Sequence, residues 1–427
     1  MNLFITSASD VEKDETRKLK WGDFHFAQGL RKALRDLGHD PEAEIPDVLI
    51  HLYGMPVQAL PDWTFNVLWI HSHPDTLTAD YVRQYDQVYC LSPQYLPKLW
   101  EMGITDAKLL VGATAFEPMD VPLVHDAVFV ANAKAYMGNS RAIINALGDL
   151  NALPFKLEIW GEGWKDLPEG IWQGEYYPYE KLNELYAASA VVLNDEHTDM
   201  AEHGFINPRA LDAIAAGSCV VTMPNEAYKI LGLPVTTFDS IDQITGAIAS
   251  RKAGTFKPLA MNPYRFSDMA KRIVAGIPER RCVDVGCGRA KRPGFIGVDK
   301  VNLPGVDMVF DITKQWLLEP DSVDYFVLDN LLEHIGDEFI AIMNNCWNTV
   351  KAKGRMHVVV PSATTSAAFQ DPTHVRYFVP ETWDYFDSEN PRYKEYGASY
   401  GIKPWAIIKR VLDNRFIIVD MRPVKGG

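Results

Sequence analysis

The sequence has few cysteines, and none of them forms a metal or redox motif. The five thiols are scattered along 427 residues without a CxxC pair: Cys90, Cys219, Cys282, Cys287 and Cys346. This usage is typical of reduced thiols in a cytosol and argues against a disulfide framework or a cysteine-based zinc site. We therefore expect a cytoplasmic protein.

Long apolar runs are also missing. No stretch approaches the roughly 18–20 apolar residues that a membrane helix needs, and residues 1–15 lack the basic start and apolar core of a signal peptide. The composition, 47% hydrophobic and 23% charged, is ordinary for a globular protein. We expect no membrane span and two or three domains, with the oligomeric state left open.

Positive charge is scarce in the first part of the chain. Residues 1–260 carry 20 Lys and Arg against 35 Asp and Glu, a net charge of −15, whereas residues 261–427 carry 22 against 21. An acidic module repels a polyanion, so nucleic acid is disfavoured as a partner. The change in charge balance also indicates two different modules.

Apolar strands alternate with amphipathic helices along the chain, which predicts parallel sheets covered by helices. One series occupies residues 1–117 and a second occupies residues 118–260, each the size of one Rossmann-like unit. Residues 261–280 predict a closing helix and a linker, and residues 281–427 hold a third series that ends in an antiparallel strand pair. The predicted fold class is α/β, with two Rossmann-like units that form one cleft, followed by a third Rossmann-like domain.

The most informative segment of the first module is NDEHTDMAEHGFINPRALDAIAAGSCVV, residues 194–221, in which a polar loop precedes a small-residue helix and a buried strand. Ligands of such folds bind at the carboxyl ends of the strands, where helix N-termini face phosphates. Asn207, Arg209 and Asp212 lie near the start of this helix. Arg209 can pair with a diphosphate and Asp212 can accept hydrogen bonds from ribose hydroxyls. The alternative is that Asp212 only caps the helix.

The stretch GFINPRALDAIAAGSCVV resembles the donor-binding segment of GT-B glycosyltransferases, and WQGEYYPYEKLNELYAASAVVLN resembles the segment before it. The resemblance, which is closer to a divergent retaining-type branch, implies transfer from a UDP- or GDP-sugar with Asp212 on the ribose. The family often has a glutamate eight residues before this acid. Here that position is Gly204, with Glu202 two residues upstream.

The same resemblance implies further residues of the cleft. His71 and His73, in LWIHSHPD, end a strand where such enzymes place a histidine near the reacting sugar. The other matching positions are Gly22 in the loop after the first strand, Lys134 or Arg141 for phosphate, and Gly161 for close approach of a base. A purely structural role is the alternative for each of them.

In the second module, VDVGCGRAKRPGFIGVDK, residues 283–300, predicts a buried strand, a glycine loop and a second strand. Asp284, Gly286 and Gly288 form an acid–x–Gly–x–Gly loop that a nucleoside can approach closely, and Asp299 ends the next strand, where an acid accepts both ribose hydroxyls. The segment between these strands is short, so we expect a basic turn in place of the usual first helix.

Two more acids end the following strands, Asp311 where an adenine amino group can be read and Asp329 where the reacting group lies. Motifs at four successive strand ends, with GCGRAKRPGFIGVD and LEHI, resemble class I S-adenosylmethionine-dependent methyltransferases over most of residues 280–427. The resemblance implies S-adenosyl-L-methionine as cofactor. A dinucleotide dehydrogenase is the alternative for the glycine loop alone, but the third glycine is absent and a terminal antiparallel hairpin is a methyltransferase trait.

The acceptor side of this module has two candidate catalytic bases, His334 after the fourth strand and His374 in FQDPTHVRYFVPETWDYF. In some relatives the glutamate and histidine of LEH bind a divalent metal with another acid nearby. The third position is Asn330 here, with Asp329 adjacent, so no metal is predicted. Further candidate acceptor contacts are Asp371, Arg376 and, for stacking on a carbohydrate, Tyr377, Phe378 or Trp383, with a structural loop and an aromatic core as the alternatives.

These observations predict a bifunctional transferase that glycosylates and methylates a glycan or a related small molecule. One alternative keeps a single active module, with the other a degenerate docking domain. Another is a phage-type enzyme of nucleic-acid modification, which the acidic first module disfavours.

Overall fold

The structure is a computed structural model that describes residues 1–44, 46–56, 60, 64–133, 141–256 and 264–425. The chain divides into two units, of which the first holds residues 1–60 and 65–277 and the second begins at Pro278. Within the described ranges, no helix is both long and apolar enough to cross a membrane.

The first half of the first unit is a parallel sheet flanked by helices. Its strands are β1 (Leu3–Ser7), β2 (Val48–Tyr53), β3 (Phe65–Ile70), β4 (Gln87–Cys90) and β5 (Lys108–Leu109), adjacent in that order. Its helices are α1 (Glu15–Lys18), α2 (Gly22–Asp36), α3 (Ala79–Val82) and α4 (Leu96–Glu101). Phe26, Leu30 and Leu34 form the buried stripe of α2, as expected from their helical spacing.

The second half is another parallel sheet. Its strands are β6 (His125–Val130), β7 (Leu157–Trp160), β8 (Trp172–Gly174), β9 (Ser189–Asn194), β10 (Cys219–Thr222) and β11 (Val235–Thr237), in the order β11-β10-β9-β6-β7-β8. The helices are α5 (Ala142–Ala146), α6 (Tyr179–Ala187), α7 (Thr198–Glu202), α8 (Pro208–Ala215), α9 (Ala227–Ile230), α10 (Ile241–Lys252) and α11 (Phe266–Gly276). The alanines of α8 are buried, so this helix lies close to the sheet.

The chain crosses between the two halves of the first unit at two adjacent places. After β5 it passes through Thr114, and before α11 it returns through Tyr264, whose carbonyl oxygen accepts a hydrogen bond from the Thr114 N–H at 2.9 Å. Helix α11 then packs on α2, where the Phe266 ring fills the space that a side chain on Gly29 would need. The last helix of the second half is thereby held against the first half.

The second unit contains a mixed sheet. Its strands are β12 (Cys282–Val285), β13 (Ile296–Asp299), β14 (Met308–Val309), β15 (Val323–Asp329), β16 (Val350–Pro361), β17 (Trp405–Asp413) and β18 (Phe416–Pro423), and helix α12 spans Phe339–Thr349. The order is β14-β13-β12-β15-β16-β18-β17, with β18 antiparallel to both of its neighbours. The predicted α/β fold class and the terminal antiparallel pair are confirmed, and no described helix separates β12 from β13.

Candidate functional site

A cavity of about 460 Å³ lies between the two halves of the first unit. The residues that the sequence predicts for this module come from five separate segments of the chain. The structure brings them together in the wall of this cavity: Gly22, His71, His73, Arg141, Gly161, Asn207, Arg209 and Asp212. Lys134, the alternative to Arg141, lies outside the described residues.

Two buried arginines form the cationic part of the cavity wall. Arg141 Nη1 donates to Asp195 Oδ1 at 3.2 Å, and Arg209 Nη1 lies 3.9 Å from the same oxygen while donating to Asn194 Oδ1 at 3.2 Å. Burial, with the neighbouring Arg209, lowers the pKa of Arg141 to about 10, so the Arg141 guanidinium is still charged at neutral pH. Because one carboxylate faces two cations, this group is suited to bind an anion such as a phosphate.

Asp212 lies in the middle of α8 and faces the cavity. Its Oδ1 accepts a hydrogen bond from the Thr114 hydroxyl at 2.5 Å, and burial raises the pKa of the carboxyl to about 7. The N-cap of α8 is Asn207, whose side chain accepts from the Arg209 N–H at 2.9 Å. The alternative role of Asp212 as the helix cap is therefore wrong.

Gly161 follows β7 and has a structural reason to be glycine. Its φ is +141°, and a Cβ at this position would lie 2.1 Å from the Ala131 carbonyl oxygen. The close approach of two neighbouring strand ends thus requires glycine here, in addition to any contact with a ligand.

The two predicted histidines of the cavity differ in their surroundings. His71 stacks on Trp69 with ring centroids 4.8 Å apart, and burial lowers its pKa to about 3, so it is neutral. His73 has a left-handed backbone with φ +49°, and its Nδ1 donates to Asp199 Oδ2 at 3.1 Å. A histidine oriented by a carboxylate is the arrangement of a general base. Asp199, which lies in the first turn of α7, is not among the residues predicted from the sequence.

Gly204, at the position where the resembled family often has a glutamate, is closely packed by a neighbouring side chain. Gly204 has φ +68°, and a Cβ there would lie 1.8 Å from Gln94 Oε1 and 2.6 Å from Gln94 Cδ. Glu202, the nearest acid upstream, is exposed at the end of α7. A side chain at position 204 would therefore require Gln94, from the first half of the unit, to move.

Restoring the glutamate is expected to destabilise the protein. Gly204→Glu should lower the free energy of unfolding by about 2–4 kcal/mol, because the left-handed backbone penalises a side chain and Gln94 must move. Denaturant unfolding measures this loss. Gly232→Glu is the matched control, since Gly232 has φ +67° but no atom within 4 Å of its Cβ, so about 1–2 kcal/mol is expected there. Equal losses of unfolding free energy in the two variants would show that Gln94 does not hinder a side chain at position 204.

In the second unit, the glycine loop folds over the end of β13. The Gly288 N–H donates to Asp299 Oδ2 at 3.0 Å, and the Val301 N–H donates to Asp299 Oδ1 at 2.9 Å. Gly286 has φ +72° and lies against Leu331, whereas Gly288 has φ +53° with no atom within 4 Å of its would-be Cβ. The loop is thus backed by protein at Gly286 and open at Gly288.

The basic turn predicted between β12 and β13 connects the ends of two neighbouring strands. The Arg292 N–H donates to Asp284 Oδ2 at 3.0 Å, and its guanidinium Nη2 donates to Asp329 Oδ2 at 2.9 Å. Asp311 caps its own turn by accepting from the Thr313 N–H and hydroxyl, and this hydroxyl lowers its pKa. The predicted cofactor residues thus occur at the ends of four adjacent strands, β14, β13, β12 and β15.

The loop after β16 comes close to the turn that follows β15. Val375 and Arg376 donate their N–H groups to the Glu333 carbonyl oxygen at 2.9 and 3.0 Å. The rings of His334 and His374 meet edge to face, with centroids 4.8 Å apart. Both predicted bases therefore lie together at the carboxyl end of β15.

The remaining predicted acceptor contacts have mixed outcomes. Asp371 accepts from the Thr373 N–H and hydroxyl within its own turn, and Arg376 donates to the carbonyl oxygens of Ile335 and Gly336. Phe378 and Trp383 are fully buried core residues, whereas Tyr377 is half exposed and stacks on the exposed ring of Phe369. Of the predicted stacking residues, Tyr377 alone is exposed.

Known proteins resemble parts of this chain. Residues 140–272 match the family model described as "Glycosyl transferase-like", so this part of the chain is a glycosyltransferase-like domain. Comparison with curated protein sequences found no match. The solved structures that resemble the chain include the lipopolysaccharide outer core galactosyltransferase WaaB in its apo form, with a TM-score of 0.36, 15% identity and coverage of 58% of this chain and 78% of that one.

Methyltransferase structures are also among the similar folds. A SAM-dependent methyltransferase from Archaeoglobus fulgidus has a TM-score of 0.25 and 17% identity over 36% of this chain and 90% of its own. A putative S-adenosylmethionine-dependent methyltransferase from Listeria monocytogenes has a TM-score of 0.23 and 13% identity over 36% of this chain and 97% of its own.

Proposed function

We propose that the chain is a bifunctional transferase, in which the first unit transfers a sugar from a nucleotide-sugar and the second methylates a hydroxyl of a glycan or related molecule. The observation that carries the first half is the convergence of residues from five segments on one cavity. The observation that carries the second is the open glycine loop between the acids at the strand ends.

In the first unit, Arg141 and Arg209 would bind the diphosphate of the donor, since they share one carboxylate and retain positive charge. Asp212 would accept hydrogen bonds from the ribose hydroxyls. His73 would take the proton of the acceptor hydroxyl, with Asp199 holding the ring in position through Nδ1. His71 is neutral and fits a hydrogen-bonding role next to the sugar.

In the second unit, the residues present fit S-adenosyl-L-methionine. The open space at Gly288 allows close approach to the backbone, and Asp299 uses one hydrogen bond per oxygen on the protein, which leaves lone pairs for two ribose hydroxyls. When bound, the cofactor supplies an activated methyl group. The protein then has to orient the acceptor and handle its proton, and the histidines at the end of β15 are suited to this.

Thermal unfolding of the full chain with ligands tests both halves. A panel of UDP- and GDP-sugars and, separately, S-adenosylmethionine should each raise Tm, by an amount that corresponds to about 2.7 kcal/mol at a concentration 100 times Kd. The two stabilisations should add, because the sites use different residues. If no nucleotide-sugar in the panel shifts Tm, the glycosyltransferase half of the proposal fails, whatever S-adenosylmethionine does.

Gly204 favours a second candidate function, in which the first unit binds a nucleotide-sugar without transferring the sugar. Residue 204, where the resembled family often has its first glutamate, is glycine here and is closely packed by Gln94, so that position supplies no carboxylate. Nucleotide-sugar binding without release of free nucleotide, in the presence of candidate acceptors, would support this reading over transfer.

A further inference from the structure

Glu333 carries a buried carboxylate that lacks the partners such a group needs. It lies in the turn Leu332–His334 directly after β15 and is 1% exposed. Within the described part of the chain, no other residue donates a hydrogen bond to either of its carboxylate oxygens. A buried carboxylate without a hydrogen bond or a counterion costs several kcal/mol, so the site is suited to a positive charge.

The nearest arginine of the loop does not supply that charge. The Arg376 guanidinium donates to the carbonyl oxygens of Ile335 and Gly336 and lies over the Phe339 ring, 4.6 Å from its centroid. His374 Nε2 is 3.9 Å from Glu333 Oε1, which is too long for a hydrogen bond.

Both neighbouring imidazoles use their Nδ1 atoms on protein oxygens. His374 Nδ1 donates to the Ala368 carbonyl oxygen at 2.9 Å. The Thr373 hydroxyl donates to Asp371 Oδ1 at 2.7 Å, so its oxygen accepts from His334 Nδ1 at 3.0 Å. With the proton on Nδ1, each neutral ring has its lone pair on Nε2. A metal-bound histidine is typically oriented in this way, by donating its other N–H to a protein oxygen.

One potential ligand atom from each of Glu333, His334 and His374 lies within 4.8 Å of the other two. Ligand atoms around a tetrahedral zinc ion are about 3.3 Å apart, given bond lengths near 2.1 Å, so small changes in side-chain torsions close the difference. We propose that Glu333, His334 and His374 bind one divalent transition-metal ion, with Zn²⁺ as the best match to two imidazoles and one carboxylate.

Three protein ligands leave a fourth position for an oxygen ligand. His334 is exposed, so this position is open to solvent on its side of the cluster. In the proposed methyltransferase the oxygen would be the acceptor hydroxyl, whose proton the bound metal would make easier to lose, so that His334 and His374 would act as ligands rather than as general bases. Metal binding itself does not depend on that function.

Metal binding to the full chain, stripped with a chelator, tests the proposal without cofactor or acceptor. Calorimetry should show one Zn²⁺ per chain, and Co²⁺ should give visible d–d absorption bands. Glu333→Gln and His334→Ala should each weaken Zn²⁺ binding more than about 100-fold, and Thr373→Val, which removes an outer hydrogen bond, by about 10–100-fold. Mg²⁺ should compete poorly, because imidazole ligands disfavour it.

His39→Ala is the matched control, since it removes an imidazole from the first unit and should leave binding unchanged. Glu333→Gln keeps the shape of the side chain and removes an unpaired buried acid, so it is expected to fold. The proposal is overturned if the wild type binds no Zn²⁺. It is also overturned if the wild type, Glu333→Gln and His334→Ala all bind Zn²⁺ equally tightly. Tighter binding of Mg²⁺ than of Zn²⁺ would also contradict it.

Discussion

Replacing Asp212 with asparagine is expected to weaken nucleotide-sugar binding about 10- to 100-fold. A hydrogen bond from a ribose hydroxyl to a carboxylate contributes roughly 1.5–3 kcal/mol, and the neutral amide loses the charge-assisted part of it. Calorimetry with the nucleotide-sugar that stabilises the wild type measures the change in Kd. Glu202→Gln is the control, because Glu202 is exposed at the end of α7, and its Kd should equal that of the wild type.

The same variant is expected to change the pH dependence of binding. The pKa of Asp212 is raised to about 7, so the ionised form that accepts from hydroxyls is lost as the pH falls from about 8 to 6. Wild-type affinity should therefore decrease over this range, while that of Asp212→Asn should stay flat.

The free energy of unfolding should depend on pH in the opposite direction from the ligand affinity. A carboxyl whose pKa is higher in the folded state destabilises the fold at a pH above its unfolded pKa, and the cost grows until the folded pKa is passed. Asp212→Asn removes this cost, so its Tm at about pH 8 should equal or exceed that of the wild type. Weaker binding combined with an unchanged or higher Tm cannot result from misfolding. Wild-type affinity in the variant would exclude Asp212 from the site.

Replacing Asp299 with alanine is expected to weaken S-adenosylmethionine binding more than about 100-fold. The change removes the acceptor for two ribose hydroxyls, at roughly 1.5–3 kcal/mol each, and it also frees the Gly288 N–H that holds the glycine loop. Calorimetry with S-adenosylmethionine and with S-adenosylhomocysteine measures the loss.

Asp311→Ala provides the comparison for this prediction. Its Oδ1 is already engaged by the Thr313 N–H and hydroxyl, so a loss of less than about tenfold is expected, near the value of a single neutral hydrogen bond. Nucleotide-sugar binding should be unchanged in both variants, since the first unit is intact. A larger effect from Asp311 than from Asp299 would mean that the cofactor is held differently.

The sequence predicts the three sheets because their strands are continuous apolar runs separated by amphipathic helices, a pattern that each segment carries by itself. The terminal hairpin of β17 and β18 is predicted for the same reason. The convergence of residues such as Gly22, His73 and Asp212 follows from the fold class, since parallel sheets collect functional residues at the carboxyl ends of their strands.

Contacts between distant segments could not be predicted in this way. His374 joins Glu333 and His334 only because the loop after β16 donates hydrogen bonds to the Glu333 carbonyl oxygen, and no spacing in the sequence encodes that contact. From the sequence, the third metal ligand was expected at position 330, and because this residue is Asn330 no metal was predicted. Gln94 and Asp199 were missed likewise, because each acts on a residue from another part of the chain, Gly204 and His73 respectively.

The two connections between the halves of the first unit, at Thr114 and Tyr264, lie next to Asp212. Two adjacent connections favour rotation of the halves about one axis. Thr114, which pairs with the Tyr264 backbone at this crossing, also donates its hydroxyl to Asp212. In the proposed glycosyltransferase, a donor that engages Asp212 would therefore contact the partner of Thr114, so we expect donor binding and rotation of the two halves to be coupled through this hydroxyl group.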